Sequence, residues 1–160
     1  MGKMLIVDPT KCTGCQACET ACSTFKEGEA HHYKARIKVL RFPDQVFFYP
    51  LVCQQCHKPP CVPICPTSAL VKDPRTGVVE LNRERCVGCK MCLLACPFGA
   101  IALVDGMPVK CDLCGGDPVC VRFCEPRAIS LGEAEALGAG QRRLLADKVR
   151  EIYLDQRAGG

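Results

Sequence analysis

Apolar and polar positions alternate, cluster and recur at helical spacing in different parts of this 160-residue chain. Near the start, Met4–Val7 is a short apolar run, MLIV. Ala35 to Arg41 reads ARIKVLR, a period of two that predicts a strand, and Val78 to Leu81 alternates more weakly. Val46 to Pro50, VFFYP, adds a second bulky run close to the first, so Ser23 to Leu51 reads as a β-rich excursion. Asp73-Pro-Arg-Thr-Gly77 and Asp105-Gly106 are turn signals between such runs and predict hairpins. After Ser130 the chain has neither cysteine nor proline, and Ala, Leu, Glu and Arg predominate. There Leu145, Val149, Ile152 and Tyr153 recur at helical spacing, predicting one amphipathic helix over Gln141 to Gln156. That helix, in a tail spanning 131–160, either packs on its own domain or docks a partner subunit.

No apolar stretch approaches the roughly 18 residues of a spanning helix. Met1 to Thr10 has one lysine and too short an apolar run for a signal peptide, so a cytoplasmic protein is expected.

Composition changes this picture. The apolar share is 48%, but sixteen cysteines supply a tenth of the chain, and without them it falls to about 38%. Trp is absent, and six Phe with three Tyr are the whole aromatic content. That is thin material for a self-sufficient core. So many cysteines in a chain without an export signal point to metal rather than to disulfides.

The cysteines fall into four groups. The first is Cys12, Cys15, Cys18 and Cys22, spaced C-x2-C-x2-C-x3-C. The second, Cys53, Cys56, Cys61 and Cys65, is spaced C-x2-C-x4-C-x3-C and followed by Pro66. The third, Cys86, Cys89, Cys92 and Cys96, repeats the first spacing with Pro97 behind it. The fourth is Cys111, Cys114, Cys120 and Cys124, spaced C-x2-C-x5-C-x3-C, with Pro126 one place late. Flanking residues repeat as well: VDPTKCTGCQAC echoes LNRERCVGCKMC, and CPTSAL, CPFGAI and CEPRAI echo one another. The repeating unit is a short strand, a cysteine loop, a helical turn and a second strand.

Three thiolates on one tight loop can grip three corners of an iron–sulfur cube, with Gly14 and Gly88 letting the backbone approach. In two-cluster ferredoxins the cysteine after the x3 gap ligates the other cluster. Four complete groups imply four [4Fe–4S] clusters and no iron left open for substrate. Zinc would leave the x3 cysteine without a role. Cys53-Gln-Gln-Cys56-His57 matches a haem-attachment signature, but haem would strand Cys61 and Cys65. His57 reads instead as a hydrogen-bonding residue beside a cluster, and His31 and His32 as polar loop residues.

The formal charge of +4 counts thiols as neutral; four clusters of roughly −2 each would bring it to about −4. Lys11, Lys26, Lys34, Arg36, Lys38, Arg83, Arg85, Lys90, Lys110 and Arg122 then read mostly as compensation for buried negative charge. Nucleic acid is not expected as a partner.

A domain of this length has a radius of gyration of roughly 15 Å and a diameter of about 40 Å. Four clusters inside it stand close enough for electrons to hop along a row whose ends lie near opposite surfaces. Three pairings are open. Either groups one and four nest around two and three, or one pairs with two and three with four, or each group closes its own cluster. The tight x3 geometry disfavours the last, and the twenty residues between Cys65 and Cys86 suffice for one hairpin joining adjacent loops.

Over about residues 1–130 the four groups, in this order and with these gaps, resemble the four-cluster ferredoxin-like electron-transfer subunits of molybdenum and tungsten oxidoreductases. The short length, the CDLCGGDPVC run (111–120) and the helical tail are most similar to the small polyferredoxin subunit of bacterial tungsten aldehyde oxidoreductase complexes. The missing prolines directly after Cys22 and Cys124 depart from the ferredoxin pattern and bear on helix initiation there.

The resemblance implies an α+β fold of two fused ferredoxin-like halves with short β-hairpins and a C-terminal helix. One half comes from groups one and four (about 1–30 and 105–130), the other from groups two and three (about 50–104). It implies the nested ligand sets Cys12, Cys15, Cys18 with Cys124, and Cys111, Cys114, Cys120 with Cys22. For the other half it implies Cys53, Cys56, Cys61 with Cys96, and Cys86, Cys89, Cys92 with Cys65.

The expected function is a non-catalytic relay of single electrons between a tungsten or molybdenum pterin subunit oxidising aldehydes and a flavin or other redox subunit. Self-association within such a complex is also open. The rivals are a free soluble polyferredoxin, which a strongly acidic surface would favour, a purely structural metal-binding module, which a colourless zinc form would support, and a subunit of a hydrogenase, formate dehydrogenase or carbon monoxide dehydrogenase system.

Overall fold

Strands of three to five residues cannot stand alone, and in the computed structural model, which describes residues 2–42, 44 and 46–133, they pair in antiparallel twos. β1 (Lys3–Val7) pairs along its length with β8 (Ile129–Glu133), placing Leu5 opposite Leu131. This ladder ties the segment before the first cysteine group to the segment after the fourth. β2 (Lys38–Phe42) pairs with β3 (Phe47–Leu51) between groups one and two. β4 (Leu70–Lys72) pairs with β5 (Val79–Leu81) between groups two and three. β6 (Ile101–Val104) pairs with β7 (Met107–Lys110) between groups three and four.

Both turn signals hold. Asp73 accepts the N–H groups of Arg75 (2.7 Å) and Thr76 (3.3 Å), closing the β4–β5 connection with its own side chain. Asp105 and Gly106 have φ of +50° and +78°, the two left-handed residues that a two-residue hairpin requires.

The Ser23–Leu51 excursion is less β-rich than its pattern predicts. Its first residues extend α1 (Ala17–Glu27), which ends at Gly28 with φ +73° and the Gly28 N–H bonded to the Thr24 carbonyl. Helix wins there because Cys18, Glu19, Cys22 and Ser23 form one buried stripe at i, i+4 and i, i+3 spacing. The ARIKVLR alternation breaks for a related reason. Ala35, Ile37 and Val39 are buried as expected, but so is Arg36, which pairs with Glu27 of α1, and the strand begins only at Lys38.

α2 (Met91–Ala95) and α3 (Val119–Arg122) are single turns that follow the first cysteines of groups three and four. The helix expected over Gln141 to Gln156 lies outside the described residues. Among those described, no helix is long and apolar enough to cross a membrane.

Buried side chains gather into two clusters, and cysteine belongs to both. Leu5, Ile37, Val52, Leu113 and Ile129 pack with Cys18, Cys22 and Cys120, and Cys12, Cys111 and Cys124 border them. Leu70, Val79 and Ile101 pack with Cys61 and Cys92, with Cys65 and Cys96 at the margin. The chain is thus mixed helix and strand, with small sheets set around sulfur.

Gly14 and Gly28 share nearly the same φ, +70° and +73°, but differ in surroundings. A Cβ at Gly14 would stand 2.5 Å from the Phe48 ring, whereas none at Gly28 would meet anything within 4 Å. Gly28→Ala is therefore expected to cost about 1 kcal/mol of backbone strain, and Gly14→Ala a further 1–3 kcal/mol of overpacking. Thermal unfolding of both variants beside the wild type measures the difference, and equal losses would exclude the Phe48 contact as a cause.

Candidate metal centre

The repeated motifs are repeated backbone geometry. In CTGCQAC and CVGCKMC, Gly14 and Gly88 have φ of +70° and +69°, and Gln16 and Lys90, at the helix starts, have +61° and +63°. In CPTSAL, CPFGAI and CEPRAI the residue three after the cysteine (Ser68, Gly99, Arg127) is also left-handed, with φ of +51°, +61° and +53°. Each of these residues donates its N–H to the carbonyl of its cysteine, at 3.2, 3.2 and 3.0 Å. The turn brings the next N–H back to sulfur in two cases: Ala69 to Cys65 Sγ at 3.2 Å, and Ala100 to Cys96 Sγ at 3.4 Å. Cys22 has no following proline and takes its N–H from elsewhere, from Arg36 at 3.3 Å.

These turns arrange the cysteines across groups. One cavity is walled by Cys12, Cys15, Cys18 and Cys124. A second is walled by Cys22, Cys111, Cys114 and Cys120. A third is walled by Cys53, Cys56, Cys61 and Cys96. Each therefore takes three cysteines from one group and the x3 cysteine from another. Cys65 and Cys92 share the second apolar cluster, and the charges of Cys86 and Cys89 act on Cys92. Cys15 and Cys89 are the exposed members, while Cys18, Cys22, Cys53, Cys61, Cys92 and Cys120 are buried.

Electrostatics follow burial. Burial pushes Cys18 up to about 12, helped by the negative charges of Glu19, Cys124 and Cys15. Burial pushes Cys111 up to about 12, with Cys53 and Cys22 adding to it and Lys110 opposing. Cys61 rises to about 11 by burial, again against Lys110. Cys120 is raised by burial and by Cys111, Cys22, Cys114 and Cys18. Cys56, Cys92 and Cys114 rise for the same first reason. Cys65 goes the other way: its burial is outweighed by N–H groups of Leu70, Ala69 and Thr67 and by the Thr67 hydroxyl, so its thiolate is favoured. Charge repulsion reaches between the sets, from Cys18 to Cys120 and from Cys53 to Cys111.

Do these cradles fit a cubane with four thiolates? Three cavities, each with four sulfurs and mainly apolar walls, suit identical guests. Among the described residues the buried side-chain atom left without a hydrogen-bond partner is Arg36 Nη1, and Arg36 borders the Cys22, Cys111, Cys114, Cys120 cavity. A buried guanidinium N–H needs an acceptor, and cluster sulfur is one. The residues present fit.

Few of the cations read as compensation stand at these cavities. Arg36, Lys26 and Lys110 border them. Lys11, Lys34 and Arg122 pair instead with Asp8, Glu29 and Asp117, and Arg83 joins Arg36 on Glu27. The surface carboxylates compete for those lysines and arginines. His57 offers its carbonyl to Lys72 Nζ at 2.8 Å while the residue itself is exposed. Gln55, buried between Cys53 and Cys56, went unread in the sequence. A polar residue inside a C-x2-C gap carries no pattern of its own, and only a basic residue before the first cysteine (Lys11, Arg85, Lys110) recurs as a signal.

Residues 44–134 match the family model described as a 4Fe-4S dicluster domain, and residues 5–24 match a 4Fe-4S binding domain. The polyferredoxin-like subunit of an aliphatic sulfonate oxidoreductase from Pyrococcus furiosus is 44% identical over 123 residues, covering 75% of this chain and 70% of that protein. The electron transfer subunit of a thiosulfate reductase from Salmonella typhi is 31% identical, covering 97% of this chain and 86% of its own. Subunit 2 of the Escherichia coli formate hydrogenlyase is 32% identical, with 82% of each chain covered. The chain belongs to the 4Fe-4S dicluster domain family.

Thiols at about 11 to 12 are protonated throughout the neutral range, whereas a metal-bound cysteine is a thiolate. Losing the metal therefore takes up protons, and acid favours loss. Iron release to a chelator is expected to become more complete as pH falls from about 9 to about 6. Release independent of pH would count against thiolate ligation here.

Proposed function

We propose that this chain is the electron-transfer subunit of an oxidoreductase complex, itself non-catalytic, passing single electrons between a catalytic subunit and a redox partner. When bound, four [4Fe–4S] clusters supply one-electron couples in a row. The chain's own residues hold, order and shield those couples. Cys12, Cys15, Cys18 and Cys124 hold the first; Cys22, Cys111, Cys114 and Cys120 the second; Cys53, Cys56, Cys61 and Cys96 the third; Cys65, Cys86, Cys89 and Cys92 the fourth.

The observation that carries this reading is the mixed lining of the three cavities, each with three cysteines of one group and the x3 cysteine of another. The β1–β8 ladder supports a half built from groups one and four, and the β4–β5 hairpin a half built from groups two and three. The two apolar clusters divide along the same line. We assign the ferredoxin-like region to residues 1–133, because β8 runs to Glu133 and pairs with β1, and the tail to the residues that follow.

Aliphatic walls keep water from the inner sulfurs. Exposed Cys15 and Cys89 put one ligand of each outer set at the surface, where a partner can approach. All four sets are complete in cysteine, which leaves no ligand position for substrate. Named relatives serve a sulfonate oxidoreductase, a thiosulfate reductase and a formate hydrogenlyase. For this chain the family resemblance favours a tungsten or molybdenum pterin subunit, a flavin or similar redox subunit, and a cytoplasmic complex.

Anaerobic iron and sulfide analysis is expected to give about sixteen irons per chain, as four cubanes require. Cys96→Ala is expected to remove the couple held by Cys53, Cys56 and Cys61 while Cys86, Cys89 and Cys92 keep theirs. Electron paramagnetic resonance of that variant decides. Loss of the couple bound by Cys111, Cys114 and Cys120 would sink nesting, and loss of the one bound by Cys86, Cys89 and Cys92 would sink cross-ligation.

A further inference from the structure

Lys110 ends β7 and is buried, with 6% of its surface exposed. Its Nζ donates to the Val79 carbonyl at 2.7 Å, the Cys111 carbonyl at 2.8 Å and Gln55 Oε1 at 3.3 Å. Three acceptors use all the protons of an ammonium, and none of them is a carboxylate. Gln55 is itself buried and left-handed, with φ +45°. Its Oε1 also accepts the Val79 N–H at 2.9 Å, and its Nε2 donates to the Cys111 carbonyl at 2.9 Å. The amide thus bridges the loop of group two to the start of group four, with the ammonium in its grip.

Of the charges nearby, Glu80 is exposed and stands in no ion pair among the described residues, and the others are engaged elsewhere. Glu80, Asp112, Arg36 and Arg83 share a polar cleft with Lys110. Asp112 is paired with Lys26 at 2.6 Å, while Arg36 and Arg83 both pair with Glu27. Lys110 also borders the cavity of Cys53, Cys56, Cys61 and Cys96. A buried ammonium held only by neutral acceptors is costly unless an anion stands close.

We infer that Lys110 is the built-in counter-charge of the cluster held by Cys53, Cys56, Cys61 and Cys96, raising that cluster's reduction potential, and that Gln55 is the positioning residue that keeps it there. This rests on the cluster reading above. Reduction adds one electron, supplied by the adjacent couple of the row, and no proton moves. A fixed positive charge stabilises the more negative, reduced form most, so removing it lowers the potential.

The experiment is a redox titration of the purified, cluster-loaded chain followed by electron paramagnetic resonance, with iron content measured beside it. In Lys110→Met, one couple is expected to lose tenfold or more in its reduction equilibrium constant, about 59 mV for one electron. Lys110→Arg keeps the charge and is expected to stay near the wild type. Gln55→Glu sets a carboxylate against the ammonium and is expected to lower the same couple, which keeps the test open if Lys110→Met fails to assemble. Four clusters with every couple unmoved in the variants that assemble overturns the inference alone, as does an equal shift of all four. A wild-type chain without four clusters overturns the cluster reading, and this inference with it.

Discussion

Four thiolates around one cavity repel one another and are stripped of water, so they are tolerable only around a cationic core. That constraint governs the molecule. Cys18 and Cys111 are held near 12 in the chain alone, where burial and neighbouring sulfur both favour the neutral form. Metal reverses that preference, and its binding free energy becomes folding free energy. The aliphatic core has little to add beyond this. Leu5, Val52, Leu113 and Ile129 in one cluster, and Leu70, Val79 and Ile101 in the other, are each packed against cysteine rather than against a large apolar interior. The hairpins of three to five residues per strand act as struts between sulfur loops.

Much of the site was legible because the ligand loops need backbone conformations that only certain residues tolerate. The CTGC and CVGC repeats place glycine at φ near +70°, and the CPTSA and CPFGA repeats place a left-handed residue three positions after cysteine. Sequence echoes of this kind report geometry directly, so four groups of four could be read without any fold. The hairpins at Asp73–Gly77 and Asp105–Gly106 were legible for the same reason.

Where tertiary partners decide, the pattern fell short. Ser23 to Glu27 carries nothing against a strand, yet it continues α1 because the stripe that includes Ser23 meets the rest of the first core cluster. Arg36 breaks a clean alternation because Glu27 lies opposite, a partner nine residues away that no local period announces. The general view of the basic residues as compensation was too broad. Lys11, Lys34 and Arg122 meet surface carboxylates, whose pull is local and solvent-screened, and of the ten only Arg36, Lys26 and Lys110 border the cavities.

The contrast among the basic residues that precede a first cysteine follows from position in the proposed row. Lys11 and Arg85 precede Cys12 and Cys86 and are exposed, and those two sets each include a cysteine open to solvent, Cys15 or Cys89. Water there can screen the charge of a reduced couple, so no fixed cation is needed. Lys110 precedes Cys111 at the junction of the two inner sets, where Cys53 and Cys111 feel each other's charge and the lysine itself is buried. Screening has to be supplied by the chain at that point, and a lysine locked by Val79, Cys111 and Gln55 supplies it without any cost of reorganisation at the moment of electron transfer. The same residue type in the same place of the repeat therefore solvates the surface at the ends and replaces solvent in the middle.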